Sequence, residues 1–458
     1  MISIGSTGRV EQILIISLGI IYIIHTLTQY VWLTWVLGGL VFVIIALLLP
    51  QLRGSVLYLT VLFLILGGGL LLYQQASLLT WIQSASINTA IVTLFVFAPL
   101  FGIPVRLPKY VEAIKHLYRT KVKGIFSFFV GSQMLTSILS VFLNVGSITV
   151  TYHLASIHPF SKSKRLLGNA LNRGFAGAIF CSPYFAAMAI VCSALNLAWA
   201  QILPYMLGMV LISFIVSFLM EITYMRKYAK EYVEEVELER EEIALEEQSK
   251  VLYSLIIYLV SAVLIILVLE KSLTLPMVVL TCLSAALFPL IWSMIFRAMP
   301  TYKQGIKEHA RRTIPSLKKE ITFFLAAGFF SGAIGEAKFG DFIVANMDRI
   351  PLPLPIAFSI CTLLIIALTS LIGLHPVILV TILATGIDPF RVGITPEFLG
   401  VLLLGSWAIT NTISPASAVN NLIAGLSHTD VLKVSARNYK FALILLIILP
   451  SFLFITRV

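Results

Sequence analysis

Charge is scarce in this chain: 12% of its 458 residues are Asp, Glu, Lys or Arg, against 59% hydrophobic. A soluble globular domain is roughly a quarter charged, so water is the wrong solvent for most of this surface. Cysteine is almost lacking. Cys181, Cys192, Cys282 and Cys361 all fall in apolar segments without metal-ligand spacing. That excludes a disulfide framework and leaves them as small packing residues. There is no HExxH motif, no paired intramembrane Asp and no Cys–His dyad at useful spacing. His153 and His158 near Ser156 are the nearest approach to chemistry. The chain is therefore read as a non-enzyme. Alternating strands of roughly ten residues, the mark of a membrane barrel, are missing as well.

Acidic residues are outnumbered, giving a net charge of +11. No basic–aromatic module accompanies the excess, which argues against a nucleic-acid partner. Lys and Arg gather instead in the short segments Arg106–Lys123, Lys162–Arg173 and Arg297–Lys319. This is the bias of cytoplasmic loops in a membrane protein.

Apolar runs dominate what remains. A spanning helix needs about 20 mostly apolar residues, because backbone groups in lipid must bond within their own segment. Ile13–Thr28, Val31–Pro50, Val56–Tyr73, Val251–Glu270, Leu275–Phe296 and Phe441–Ile455 meet or approach that length. Ile13–Ile24 has no small-residue cleavage site after it, so it reads as a retained helix. The expected fold is an all-α polytopic membrane protein of about eleven spans plus two re-entrant hairpins. The expected location is the inner membrane, multi-pass, with the N-terminus cytoplasmic.

Two halves flank the Glu-rich segment 225–250, read as a solvated cytoplasmic linker helix. An extra helix at 1–30 precedes a first repeat at 31–224, and the second, inverted repeat occupies 251–458. Leu139–Ala155 and Leu368–Ala384 are each broken by a Gly-containing tip, Asn144–Ser147 in one and Gly373–Pro376 in the other. Ser182-Pro183 interrupts Gly174–Leu195, and Ser414-Pro415 interrupts Phe398–Leu426. Matched interruptions in two halves point to a transporter site.

At these residues the chain resembles the ion transporter superfamily of arsenite permeases, divalent-anion/sodium symporters and citrate carriers. Ser140–Ser147 is similar to the first hairpin tip of that family, with Asn144 matching its central Asn. Phe323–Gly335 is similar to the Gly-rich helix before the second hairpin, and Ser414–Ala418 to the break in the penultimate helix. The second tip departs from the family, having Gly373-Leu374-His375-Pro376 in place of Ser-Asn-Thr, and Ser417 stands where Asn is usual. The resemblance implies a carrier, and no cofactor is expected apart from Na⁺ as a candidate coupling ion.

A broken helix exposes unpaired N–H groups at one end and C=O groups at the other, which can hold an anion and a cation respectively. The expected substrate-binding residues are Asn144, Ser147, Ser182, His375, Ser417, Asn420 and Asn421. The expected cation-binding residues are Asn144, Gly146, Thr149, Gly373, Asn411, Thr412 and Ser414, with Ser370 nearby. His375 could bind an anion, shuttle a proton or simply cap its tip. No mid-membrane Asp or Glu stands out; Glu336, Asp341, Asp348 and Asp388 read as interfacial.

The expected function is coupled transport of a small anionic or polar solute, using Na⁺ or H⁺, with a homodimer as a candidate assembly. Rival readings are a Na⁺/H⁺ antiporter, a lipid-linked-substrate flippase and a membrane-embedded enzyme. The topology makes a direct prediction. Cysteines placed at Lys123 and Phe160 should both react with an impermeant thiol reagent from the cytoplasmic face, and labelling from opposite faces would remove the first hairpin.

Overall fold

The computed structural model describes residues 6–231, 245–337 and 351–458, and no strand occurs among them. Helices α1 (Ser6–Thr28), α2 (Val31–Leu48), α3 (Ser55–Tyr73), α4 (Leu78–Ser86) and α5 (Thr89–Phe97) open the chain. The first basic segment folds as the amphipathic α6 (Pro108–Lys121). A long arm, α7 (Ile125–Leu143), and a short one, α8 (Gly146–Ala155), come next. Two pieces of one interrupted helix follow, α9 (Lys164–Cys181) and α10 (Ala186–Ala194), and α11 (Trp199–Glu231) ends the half.

The second half begins with α12 (Leu245–Ser272), α13 (Met277–Ile295), α14 (Met299–Glu308) and α15 (Lys318–Glu336). The long and short arms recur as α16 (Leu354–Leu371) and α17 (Val377–Gly386). The interrupted helix recurs as α18 (Pro396–Asn411) and α19 (Ala418–Ser427), before α20 (Val431–Ala436) and α21 (Tyr439–Thr456). Half of the expected linker, residues 232–244, along with Asp341 and Asp348, lies outside the described residues.

Eleven described helical stretches are long and apolar enough to cross a bilayer. Two of them, Ile125–Leu143 and Leu354–Leu371, are the long arms of the expected hairpins. Outward-facing Leu211, Val268, Ile365 and Leu443 are exposed, which costs little when lipid rather than water is the neighbour. Enclosure is uneven. In Lys164–Ala194, 94% of the most apolar window is buried, against 22% in Val56–Tyr73, so α9 and α10 form the centre and α3 lies at the rim.

The centre holds a charge that the sequence pattern assigned to a loop. Ser163 caps α9 by accepting from Leu166 N at 3.4 Å, so the helix starts before the basic cluster ends. Arg173 then falls two turns inside it and is fully buried, at 0% exposure. It is no part of a cytoplasmic loop. Its partner, Glu221, is buried at 1% exposure on α11.

Arg173 Nη2 donates to Glu221 Oε1 at 3.1 Å, Nη1 to Ser217 Oγ at 3.3 Å, and Nε to Asn438 Oδ1 at 2.9 Å. Asn169 Nδ2 reaches the same carboxylate at 2.8 Å, and Arg165 Nη2 pairs with it at 3.0 Å. Ser217 in turn donates to Gln133 Oε1 at 2.8 Å on α7. The guanidinium of Arg173 also stacks over Phe441, 4.7 Å from the ring centre. The network ties α7, α9, α11 and the start of α21 into one body.

Breaking a buried ion pair from one side leaves an uncompensated charge and costs about 3–5 kcal/mol, whereas apolar replacement of both partners is often neutral. Glu221→Ala should therefore lower the thermal midpoint of the detergent-purified protein sharply. The double variant Arg173→Met, Glu221→Leu should recover most of the loss, as read by a melting curve.

Candidate functional site

Four interruptions fall in pairs. At the first tip, α7 ends at Asn144, whose backbone turns to a positive φ of 49°, uncommon for any residue but glycine. Its Oδ1 accepts from Val145 N at 2.8 Å, and its carbonyl accepts from Ser147 Oγ at 2.7 Å. Ser147 Oγ also meets Ser140 Oγ at 2.5 Å. Gly146 opens α8, and Thr149 lies half-buried one turn on.

The first break rests against this tip. α9 ends at Ser182, whose hydroxyl donates to Val141 O at 3.3 Å and accepts from Tyr184 N at 3.2 Å. One side chain thus ties hairpin to broken helix and caps the freed backbone. Packing along the pair is close. A Cβ added at Gly174 would lie 2.5 Å from Gln133 O and 2.8 Å from Thr136 Cβ.

The second tip turns at Gly373, with φ +91°, a value that demands glycine. His375 Nδ1 accepts from Val377 N at 3.2 Å and so caps the start of α17. Its ring stands edge-on to Trp407 at 5.5 Å and Phe324 at 6.1 Å. Ser370 Oγ on α16 is buried with no hydrogen-bond partner.

The second break is the densest cluster. Asn411 Oδ1 accepts from Ser417 Oγ at 3.1 Å, while Asn411 Nδ2 and Ser414 Oγ are buried without partners. Thr412 Oγ1 donates back to Ile409 O at 2.7 Å. Asn420 Nδ2 donates to Thr412 O at 3.0 Å and Ser414 O at 2.9 Å. Asn172 of α9 donates to Asn420 Oδ1, and reaches Thr412 O at 3.3 Å. A Cβ at Gly373 would stand 3.9 Å from that of Ala416, so the second tip adjoins the second break.

The halves interlock. The short arm α8 packs on α19, and the short arm α17 packs on α10. Each short arm thus reaches the far piece of the other half's broken helix. Of the expected residues, Asn411, Thr412, Ser414, Ser417 and Asn420 are brought together, Asn144, Ser147 and Ser182 form the first pair, and Gly373 and His375 flank the second. Asn421 does not join them. It is exposed, and its Nδ2 clasps Pro415 O and Ser417 O, both at 2.9 Å, from outside.

His158 is spent structurally, its Nε2 on Val122 O at 3.0 Å, and Ser156 Oγ bonds Tyr152 O at 2.6 Å. The two do not form a dyad. Residues that sequence reasoning missed are Asn172, Asn438 and Ser435. The available signal was the i, i+3, i+4 stripe Asn169, Asn172, Arg173 on one face of α9.

No protein-family model matches the chain, and no curated protein does. Solved structures do share its fold. The YdaH transporter of Alcanivorax borkumensis, reported to have an unusual topology, superposes with a TM-score of 0.57 at 15% identity, over 86% of this chain and 97% of that one. MtrF of Neisseria gonorrhoeae, from a class of antimetabolite efflux pumps, gives a TM-score of 0.51 at 16% identity, over 86% and 94%. The chain is thus a multi-pass helical protein with the fold of these membrane transporters.

Gly174→Ala should force α7 away from α9 and destabilise the protein by about 1–3 kcal/mol, the usual cost of overpacking. Gly425→Ala, where an added Cβ meets nothing within 4 Å, should leave the melting temperature unchanged or slightly raised. Equal melting of the two variants would refute the close seating of hairpin on broken helix.

Proposed function

We propose that the protein is a secondary active transporter that moves a small anionic or polar solute by alternating access between two inverted repeats. The reading is carried by the reciprocal seating of the short arms, α8 on α19 and α17 on α10. Such an exchange is what a pseudo-twofold relation between halves requires. Each short arm has ten residues, or about 15 Å of helix. That is half of a bilayer core, the length that a re-entrant arm needs. The motif resemblance to the ion transporter superfamily, and the transporters that share the fold, support the same reading.

The solute sits where the tips meet the breaks. The cluster offers unpartnered Asn411 Nδ2, Ser414 Oγ and Ser370 Oγ, and buried polar atoms left without partners mark a place for an absent ligand or water. An amide donor and hydroxyls suit a carboxylate, phosphate or polar solute. No Asp or Glu is among these residues, which disfavours an organic cation. Helix starts at α19 and α17 add partial positive charge. The basic segments support an inner-membrane location with a cytoplasmic N-terminus.

Reconstitution in liposomes, with anions and polar solutes screened under Na⁺ and H⁺ gradients, tests the reading. Gradient-dependent uptake is expected. Asn411→Ala should cut it about tenfold, the worth of one hydrogen bond to a charged ligand, in a protein that still folds with a modestly lowered melting temperature, because Ser417 loses its acceptor. Product formation from a lipid-linked substrate without gradient dependence would replace the carrier by an enzyme.

A further inference from the structure

The carbonyl ends of a broken helix are free to coordinate a cation, and the second break lies where the resemblance implies Na⁺. The residues present do not fit that ion. Asn411 O, Thr412 O, Ser414 O and Ser435 Oγ surround one point, and Asn420 Nδ2 fills it, at 3.4, 3.0, 2.9 and 3.3 Å respectively. We infer that Asn420 is a tethered substitute for a cation: its amide closes the carbonyl cage of the second break, so that this break works without Na⁺.

The orientation of the amide follows from its surroundings. Turned over, Asn420 Oδ1 would face three carbonyl oxygens and a hydroxyl, and Nδ2 would face the donor of Asn172. Asn172 Nδ2 is itself anchored on Thr412 O at 3.3 Å, which leaves Asn420 Oδ1 to accept from it. Both asparagines are buried, at 0% and 1% exposure. An amide has two N–H groups to share among the cage oxygens, and so meets the need of helix-end carbonyls that lack intrahelical partners. It does so without the dehydration that a free ion would require.

The consequence for coupling rests on the transporter reading; the binding claim does not. Purified wild type, Asn420→Ala and Asn420→Ser would be compared for saturable binding of radioactive Na⁺ in choline-balanced buffer. Opening the cage should let each folded variant hold one more Na⁺ per chain than wild type, with a Na⁺-dependent rise in melting temperature. Equal or lower binding by both variants overturns the inference. The wild type alone gives an independent check by hydrogen exchange: Na⁺ should leave residues 411–421 unprotected relative to choline, and Na⁺-dependent protection confined to that segment overturns it. A protein that binds as expected yet carries no solute would remove the transporter reading and leave the filled cage standing.

Discussion

Inside lipid, every backbone N–H and C=O must find its partner within the protein, and this fold departs from continuous helix at four places where that demand is hardest to meet. The same solution recurs at all four. A side chain one to eight residues away bonds a backbone group freed by the interruption. Asn144 Oδ1 takes Val145 N, Ser182 Oγ takes Tyr184 N, and His375 Nδ1 takes Val377 N. At the fourth, Asn420 Nδ2 takes the carbonyls of Thr412 and Ser414. Because the chain satisfies its own interruptions, the few polar atoms left over are informative. Asn411 Nδ2, Ser414 Oγ and Ser370 Oγ stay unpartnered beside the second tip and break.

A second costly element lies deeper. Arg173 and Glu221 bury opposite charges among apolar helices, and neither would be tolerated alone. Their partners are spread over α7, α9, α11 and the loop before α21, so the pair joins the first hairpin's long arm to the end of the second half. Asn172, the neighbour of Arg173, bonds the second break. The face of α9 that carries Asn169, Asn172 and Arg173 thus both anchors the ionic network and braces the candidate site. A body held this way can move as a unit.

Much of the architecture was legible along the chain. Apolar runs near 20 residues marked the spans, and Gly, Pro, Ser and Asn inside them marked the interruptions, because these signals act over a few residues. Arg173 was misplaced because it follows Lys162, Lys164 and Arg165, and a local cluster of basic residues reads as a loop. Only the helix start at Lys164 moves it inward. Glu221 sits at the edge of a charged segment, where composition masks a buried side chain. Asn420 and Asn421 are adjacent in sequence and about 100° apart around a helix, so one faces the break and the other the surroundings, and their shared identity says nothing about which.

Membership of the bilayer, the helical class and the positions of the four breaks were therefore set by the sequence by itself, since hydropathy and backbone propensity are properties of short windows. The seating of each short arm on the opposite half, the burial of Arg173 against Glu221 and the bonding of Asn420 to the carbonyls of the second break were decided only by tertiary structure. Asn172 lies 248 residues from Asn420, and Arg173 lies 265 from Asn438. Contacts over such separations depend on how helices stack in three dimensions, and no local pattern encodes them.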